Sequence, residues 1–226
     1  MKYFYIYIFL LCAFIFAMSY YNTLRNQREP FQSNNKTIVL LGDSILKNNV
    51  YVENGNSVED ILKKKTEGRT RCFAKDQATI GSMKLQLDLV PPELNTKNTV
   101  VFLSIGGNDI LQTYVDELKT YESDKGALVN VFADYTDLVK RIRKQLNKAK
   151  LVLMDIYYPT SEKYKDYHPL INDWNKMVYQ YAADKQNNID GVLKISKTVI
   201  KPDDFTFEYE PSDKGGATIA QQIYDY

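Results

Sequence analysis

The chain has 226 residues, room for one ordinary domain and short for two. Its 29 Lys and Arg nearly cancel 28 Asp and Glu, and a net charge of +1 gives no basic field for a phosphate backbone, so nucleic acid is not an expected partner. A hydrophobic content of 44% excludes wholesale disorder, and two cysteines, Cys12 and Cys72, cannot make a disulfide framework or the usual zinc site. The single histidine, His168, excludes metal sites built on two imidazoles and leaves any Ser–His chemistry one candidate base. No metal is expected.

Tyr3 to Tyr21 carries no charge and is dense in Phe, Ile, Leu, Ala and Tyr. As a helix it would reach about 28 Å, close to the ~30 Å hydrocarbon core of a bilayer. Two readings stand: a retained signal-anchor helix, favoured by tyrosines at both ends, or a signal peptide cleaved near Ala17-Met18-Ser19. The protein is accordingly expected in a membrane as a single-pass chain, or secreted or lumenal if the segment is removed. Residues 1–21 are read as this segment, 22–35 as a polar linker containing Pro30, and 36–226 as the folded domain.

Within that domain Thr37–Leu41 is a branched apolar run stopped by Gly42, the pattern of a buried strand. Ser57-Val-Glu-Asp60 opens a helix through Lys65 as a capping box. Further strands are expected over 71–74, 99–105, 151–156 and 191–196, and helices over 133–149, 168–185 and 213–224. Strands alternating with helices predict a parallel sheet covered on both faces.

In such sheets ligands sit beyond the carboxyl ends of the strands. Two of those ends carry polar clusters. At Gly42-Asp43-Ser44 the glycine permits a sharp turn, the Ser44 hydroxyl can face the crevice, and its backbone N–H can receive an oxyanion. At Gly106-Gly107-Asn108-Asp109 the glycines let backbone approach a substrate, and the Asn108 amide can donate to developing negative charge. Asp43 and Asp109 read as turn-holding residues that bond backbone N–H groups.

These clusters, in Leu40-Leu-Gly-Asp-Ser-Ile45 and Phe102-Leu-Ser-Ile-Gly-Gly-Asn-Asp109, resemble the SGNH (GDSL-type) hydrolases, as does Glu210-Pro-Ser-Asp-Lys-Gly-Gly216. The resemblance covers 36–226. It implies a flavodoxin-like three-layer αβα domain with a central parallel sheet, and ester hydrolysis through an acyl-serine without a cofactor. Ser44 would be the nucleophile, with Asn108 and the Ser44 N–H stabilising the oxyanion and Gly42, Asp43 and Gly107 supporting the turns. Substrates across the family include lipids, acylated glycans and small esters.

The chain departs from the family twice. Gln77 stands where the second motif has glycine, and a backbone N–H survives that change. Phe207 and Glu210 stand where the family has aspartate and histidine. Glu210-Pro-Ser, with Tyr51-Val52 and Asp204, instead resembles a divergent SGNH subgroup. Glu210 can replace the base only if burial raises its pKa, since a free carboxylate titrates near ~4.3; otherwise it caps the helix after Pro211. His168 is the alternative base, or a helix-entrance residue. A catalytically silent SGNH-fold domain binding a glycan, acyl group or protein is the competing reading.

Overall fold

In the computed structural model, which describes residues 36–113 and 121–226 apart from the side chains of 113 and 121–124, the apolar run Thr37–Gly42 forms strand β1, buried from Ile38 onward. The expected membrane segment, 1–21, and linker, 22–35, lie outside the described residues. Among the described residues no helix is long and apolar enough to cross a membrane.

Strand β1 is joined by β2 (Thr70–Cys72), β3 (Thr99–Ser104), β4 (Lys150–Met154) and β5 (Gly191–Leu193) in a parallel sheet of order β2-β1-β3-β4-β5. The helices are α1 (Val58–Lys65), α2 (Met83–Leu87), α3 (Gly107–Thr113), α4 (Tyr121–Gln145), α5 (His168–Ala183) and α6 (Asp213–Asp225). Alternation along each strand divides the apolar residues between two faces. Ile38, Leu40, Phe102 and Val152 pack with Val58 and Leu62 of α1 and Ile219 and Ile223 of α6. Val39, Leu41, Leu103 and Leu153 pack with Met83 of α2, Ile142 of α4 and Trp174 of α5. This is the three-layer αβα arrangement the resemblance implies. Each such fully buried side chain contributes about 1.5–3 kcal/mol from water exclusion.

The sheet order places sequential neighbours on opposite sides of β1, so the strand order reverses between β1 and β3. A crevice opens at such a reversal, beyond the carboxyl ends of the two strands. Those are the ends that carry Ser44 and Asn108.

Several boundaries differ from the sequence pattern. The second strand is Thr70–Cys72 rather than 71–74, because the N–H groups of Phe73 and Ala74 both turn onto the Leu40 carbonyl, at 2.9 and 3.2 Å, and leave the ladder. The fifth ends at Leu193, after which Ser196 is captured by the buried Asp155 through its N–H (2.9 Å) and hydroxyl (2.5 Å). Helix α4 begins at Tyr121, well before 133, across a glycine that interrupts the apolar period, and ends at Gln145 rather than 149. Helices α2 and α3 were not expected, nor was the antiparallel hairpin of β6 (Phe205–Thr206) and β7 (Glu210–Pro211). In α1 the expected cap is present: Ser57 Oγ accepts the Asp60 N–H at 3.1 Å.

Candidate active site

Gly42 closes β1 at φ +136°, and a Cβ there would lie 1.7 Å from the Ser104 carbonyl oxygen. Only glycine fits this close approach of β1 to β3. Asp43 N–H then donates to the Ser104 carbonyl at 3.0 Å, locking the two strand ends together. After Asp43 the chain winds a single turn, closed by Lys47 N–H onto the Asp43 carbonyl at 3.0 Å. No helix follows Ser44 directly, only this turn. Asp43 Oδ1 accepts from Ile45 N–H and from the Ser104 hydroxyl, each at 3.2 Å, the turn-holding role read from sequence. Burial pushes the Asp43 carboxyl up to about 8, against the pull of those two donors.

Ser44 is 6% exposed and opens onto an apolar pocket. Asn108, at the start of α3, lines the same pocket. Its Nδ2 donates to the Ala78 carbonyl at 2.9 Å, which leaves its second amide hydrogen for another acceptor. Gly107 also lines the pocket, and a Cβ there would lie 3.9 Å from Asp43 Oδ2. Asp109 Oδ1 and Oδ2 each accept from Ile80 N–H at 3.2 Å, fixing α3 to the segment after Gln77. Gln77 is exposed and left-handed at φ 57°, the conformation that glycine adopts most readily, so the substitution keeps the backbone course.

Glu210 lies on β7 and is 4% exposed. Burial raises its carboxyl to about 7; the Ser44 hydroxyl, close enough to favour the ionised form, works against that rise and the Asp76 charge adds to it. Among the described residues its Oε2 has no hydrogen-bond partner. Glu210 does not cap the following helix: Ser212 does, accepting from Gly215 N–H at 3.2 Å. The hairpin carrying Glu210 turns through Phe207 and Glu208, both left-handed at φ 46° and 72°. It is pinned by the Tyr157 hydroxyl on the Tyr209 carbonyl (2.8 Å), and Asp204 steadies its approach by accepting from Ile200 and Lys201 N–H. Phe207, at the family's aspartate position, is 68% exposed and meets Tyr51 edge-on. His168 stands at the first position of α5, its Nε2 2.8 Å from the Pro159 carbonyl and its ring against Tyr158. Among the described residues no hydrogen bond joins it to Ser44.

Sequence reading missed four residues that hold these parts in place. Gln86 bonds both backbone groups of Gly42. Asn48, fully buried, accepts from Val58 N–H at 2.9 Å and donates to the Pro211 carbonyl at 3.3 Å, joining the Ser44 segment to the Glu210 strand. Asn175 bonds both backbone groups of Ile156 on the pocket wall. Asp76 accepts from the Tyr51 hydroxyl at 2.8 Å. An isolated carboxamide in an amphipathic segment gives no pattern, so only its burial reveals it.

The pocket is walled by Ile45, Ile110, Leu111, Ile156 and Ile171 and by Tyr157, Tyr164, Tyr167 and Tyr209. Among the described residues lining it, none is cationic. Nor do the described residues contain a His, Cys, Asp and Glu cluster able to hold a metal ion.

The fold has close counterparts. A lipolytic protein of the G-D-S-L family from Veillonella parvula is 19% identical, with 83% of this chain and 96% of that chain covered at a TM-score of 0.61. The psychrotrophic esterase EstA from a Pseudoalteromonas species, in a structure inhibited by monoethylphosphonate, is also 19% identical, covering 84% and 95% at 0.60. An acetyl xylan esterase is 16% identical, covering 83% and 98% at 0.59. No curated protein matches the chain. The model of the GDSL-like lipase/acylhydrolase family matches residues 40–214. Since that span runs from within β1 to the first turn of α6 and takes in every strand end that meets at the pocket, the chain belongs to the GDSL-like lipase/acylhydrolase family, a family of hydrolases.

Proposed function

We propose that the protein hydrolyses an ester of an uncharged, apolar acyl group through an acyl-Ser44 intermediate, with Glu210 as the general base. One observation carries this reading: Ser44 opens on the pocket that Asn108 also lines, and the buried Glu210 carboxyl, raised to about 7, stands close enough for the Ser44 hydroxyl to act on it. A base near the working pH combines a useful ionised fraction with enough basicity to take a hydroxyl proton.

Glu210 carboxylate takes the Ser44 proton as Oγ attacks the ester carbonyl carbon. The resulting oxyanion accepts from the free amide hydrogen of Asn108 and from the N–H groups of Ser44 and Gln77. Collapse expels the alcohol oxygen, which receives the proton from Glu210. Water then repeats the sequence on the acyl-serine, releasing the acid and restoring Ser44. The aliphatic and tyrosine walls favour a hydrocarbon acyl chain and offer no cation to a charged one.

A fluorophosphonate probe tests this directly. Incubated with folded protein at pH 5 to 9, it is expected to modify one site, located on the Ser44 peptide by mass spectrometry. Absence of modification throughout that range favours the silent binding domain.

The apolar run Tyr3–Tyr21 supports a membrane tether for this activity. After alkaline carbonate extraction the full chain is expected in the membrane pellet and a chain lacking residues 1–21 in the supernatant. Release of the full chain ends the tether.

A further inference from the structure

Strand β1 needs a neighbour on each side, yet β2 pairs with it only as far as Leu40 opposite Cys72. The backbone groups of Gly42, two residues before Ser44, point to the side that β2 has left. Gln86 fills the gap. Its Oε1 accepts from Gly42 N–H at 2.8 Å and its Nε2 donates to the Gly42 carbonyl at 2.7 Å, so one side chain replaces a missing strand. Lys75 N–H reaches the same carbonyl at 3.0 Å, which brings the loop of Gln77 to this point. Gln86 is 1% exposed on a helix whose Met83 and Leu87 are sunk in the core, so the amide is rigidly held.

We infer that Gln86 is a positioning residue for the reaction: by clamping the Gly42 peptide it sets where the Ser44 hydroxyl and N–H stand relative to Glu210 and Asn108. This rests on Ser44 being the nucleophile. Rotation of the Gly42 peptide passes through one residue to Ser44, and a displacement of about 1 Å in a reacting group costs about 10²-fold in rate.

The test uses full-length protein, a fluorophosphonate and an aryl acetate. Gln86→Met keeps volume and removes both bonds. It is expected to lower kcat and the labelling rate of Ser44 by about 10²-fold while KM changes less than about threefold. Leu62→Ala, a core truncation on the other sheet face, controls for lost stability and is expected to keep kcat below its unfolding temperature. Gln86→Glu gives a second measure. Buried and protonated, a carboxylic acid accepts and donates as the amide does; ionised, it only accepts. Its labelling rate, as a ratio to wild type at equal pH, is therefore expected to climb about tenfold from about pH 8 to about pH 6.

Gln86→Met labelled within about threefold of wild type, a loss matched by Leu62→Ala, or a Gln86→Glu ratio flat with pH overturns the inference. If Gln86→Met does not fold, the Gln86→Glu ratio decides. An unlabelled wild type overturns the hydrolase reading and this one with it, whereas labelled wild type with indifferent Gln86 variants overturns this one alone.

Discussion

Glu210→Gln is expected to lower the ester hydrolysis rate by about 10²- to 10⁴-fold, the span of general acid–base catalysis, while making the fold more stable above neutral pH. The two effects share a cause. Burial holds the Glu210 carboxyl at about 7 against 4.5 for an ordinary glutamate, so the folded chain binds this proton more tightly than the unfolded one. The stability that the proton confers is complete below about 4.5 and is lost as pH rises through about 7. Each pH unit of that window is worth about 1.4 kcal/mol, an upper bound because the site relaxes on ionisation. Glutamine carries no charge, so the variant is expected to exceed wild type by about 1–2 kcal/mol at pH 8 and by nothing at pH 4, read from denaturant unfolding. The wild-type rate is expected to rise with pH through about 7, because the ionised form is the base. His168→Ala, which loses the contacts to Pro159 and Tyr158, is expected to stay within about threefold in rate. If the two substitutions cost the same in rate, Glu210 is not the base.

Gly42→Ala is expected to be the most damaging single-methyl substitution. The added carbon would sit 1.7 Å from the Ser104 oxygen and 2.6 Å from its carbonyl carbon, with φ at +136°. Both contacts are backbone of the adjacent strand, so β1 and β3 must separate where Ser44 and Asn108 converge. We expect destabilisation above about 4 kcal/mol, seen as loss of soluble folded protein or a collapsed melting temperature, with no Ser44 labelling of what remains. Gly68→Ala isolates the backbone contribution. Gly68 is also left-handed, at φ +83°, but among the described residues nothing lies within 4 Å of its would-be Cβ. It should cost about 1–2 kcal/mol and leave labelling intact. Equal behaviour of the two would mean that strand contact at Gly42 is not what excludes a side chain.

The buried strands and most helix faces were legible because each repeats an apolar residue at its own period, and the crevice was legible because glycine stops β1 and β3. The hairpin of β6 and β7 was not. It has two residues per strand and turns through Phe207 and Glu208, residues that rarely take left-handed φ, so neither period nor turn chemistry marks it. Reading Glu210 from sequence left two roles open, base or helix cap. The choice turned on Ser212 taking the cap, which depends on where one turn begins. Gln77 was legible as a departure, yet its left-handed φ shows why glycine would be at ease there.

Gln86, Asn48 and Asn175 share a chemical property that matters beyond their geometry: a carboxamide neither gains nor loses a proton between acid and alkali. The supports under the nucleophile, the base strand and the pocket wall therefore keep one set of donors and acceptors while the carboxyls of Glu210 and Asp43 change charge. A rate–pH curve for this enzyme should consequently carry the ionisation of the Glu210 carboxyl and of the turn-holding Asp43, and no contribution from these three amides.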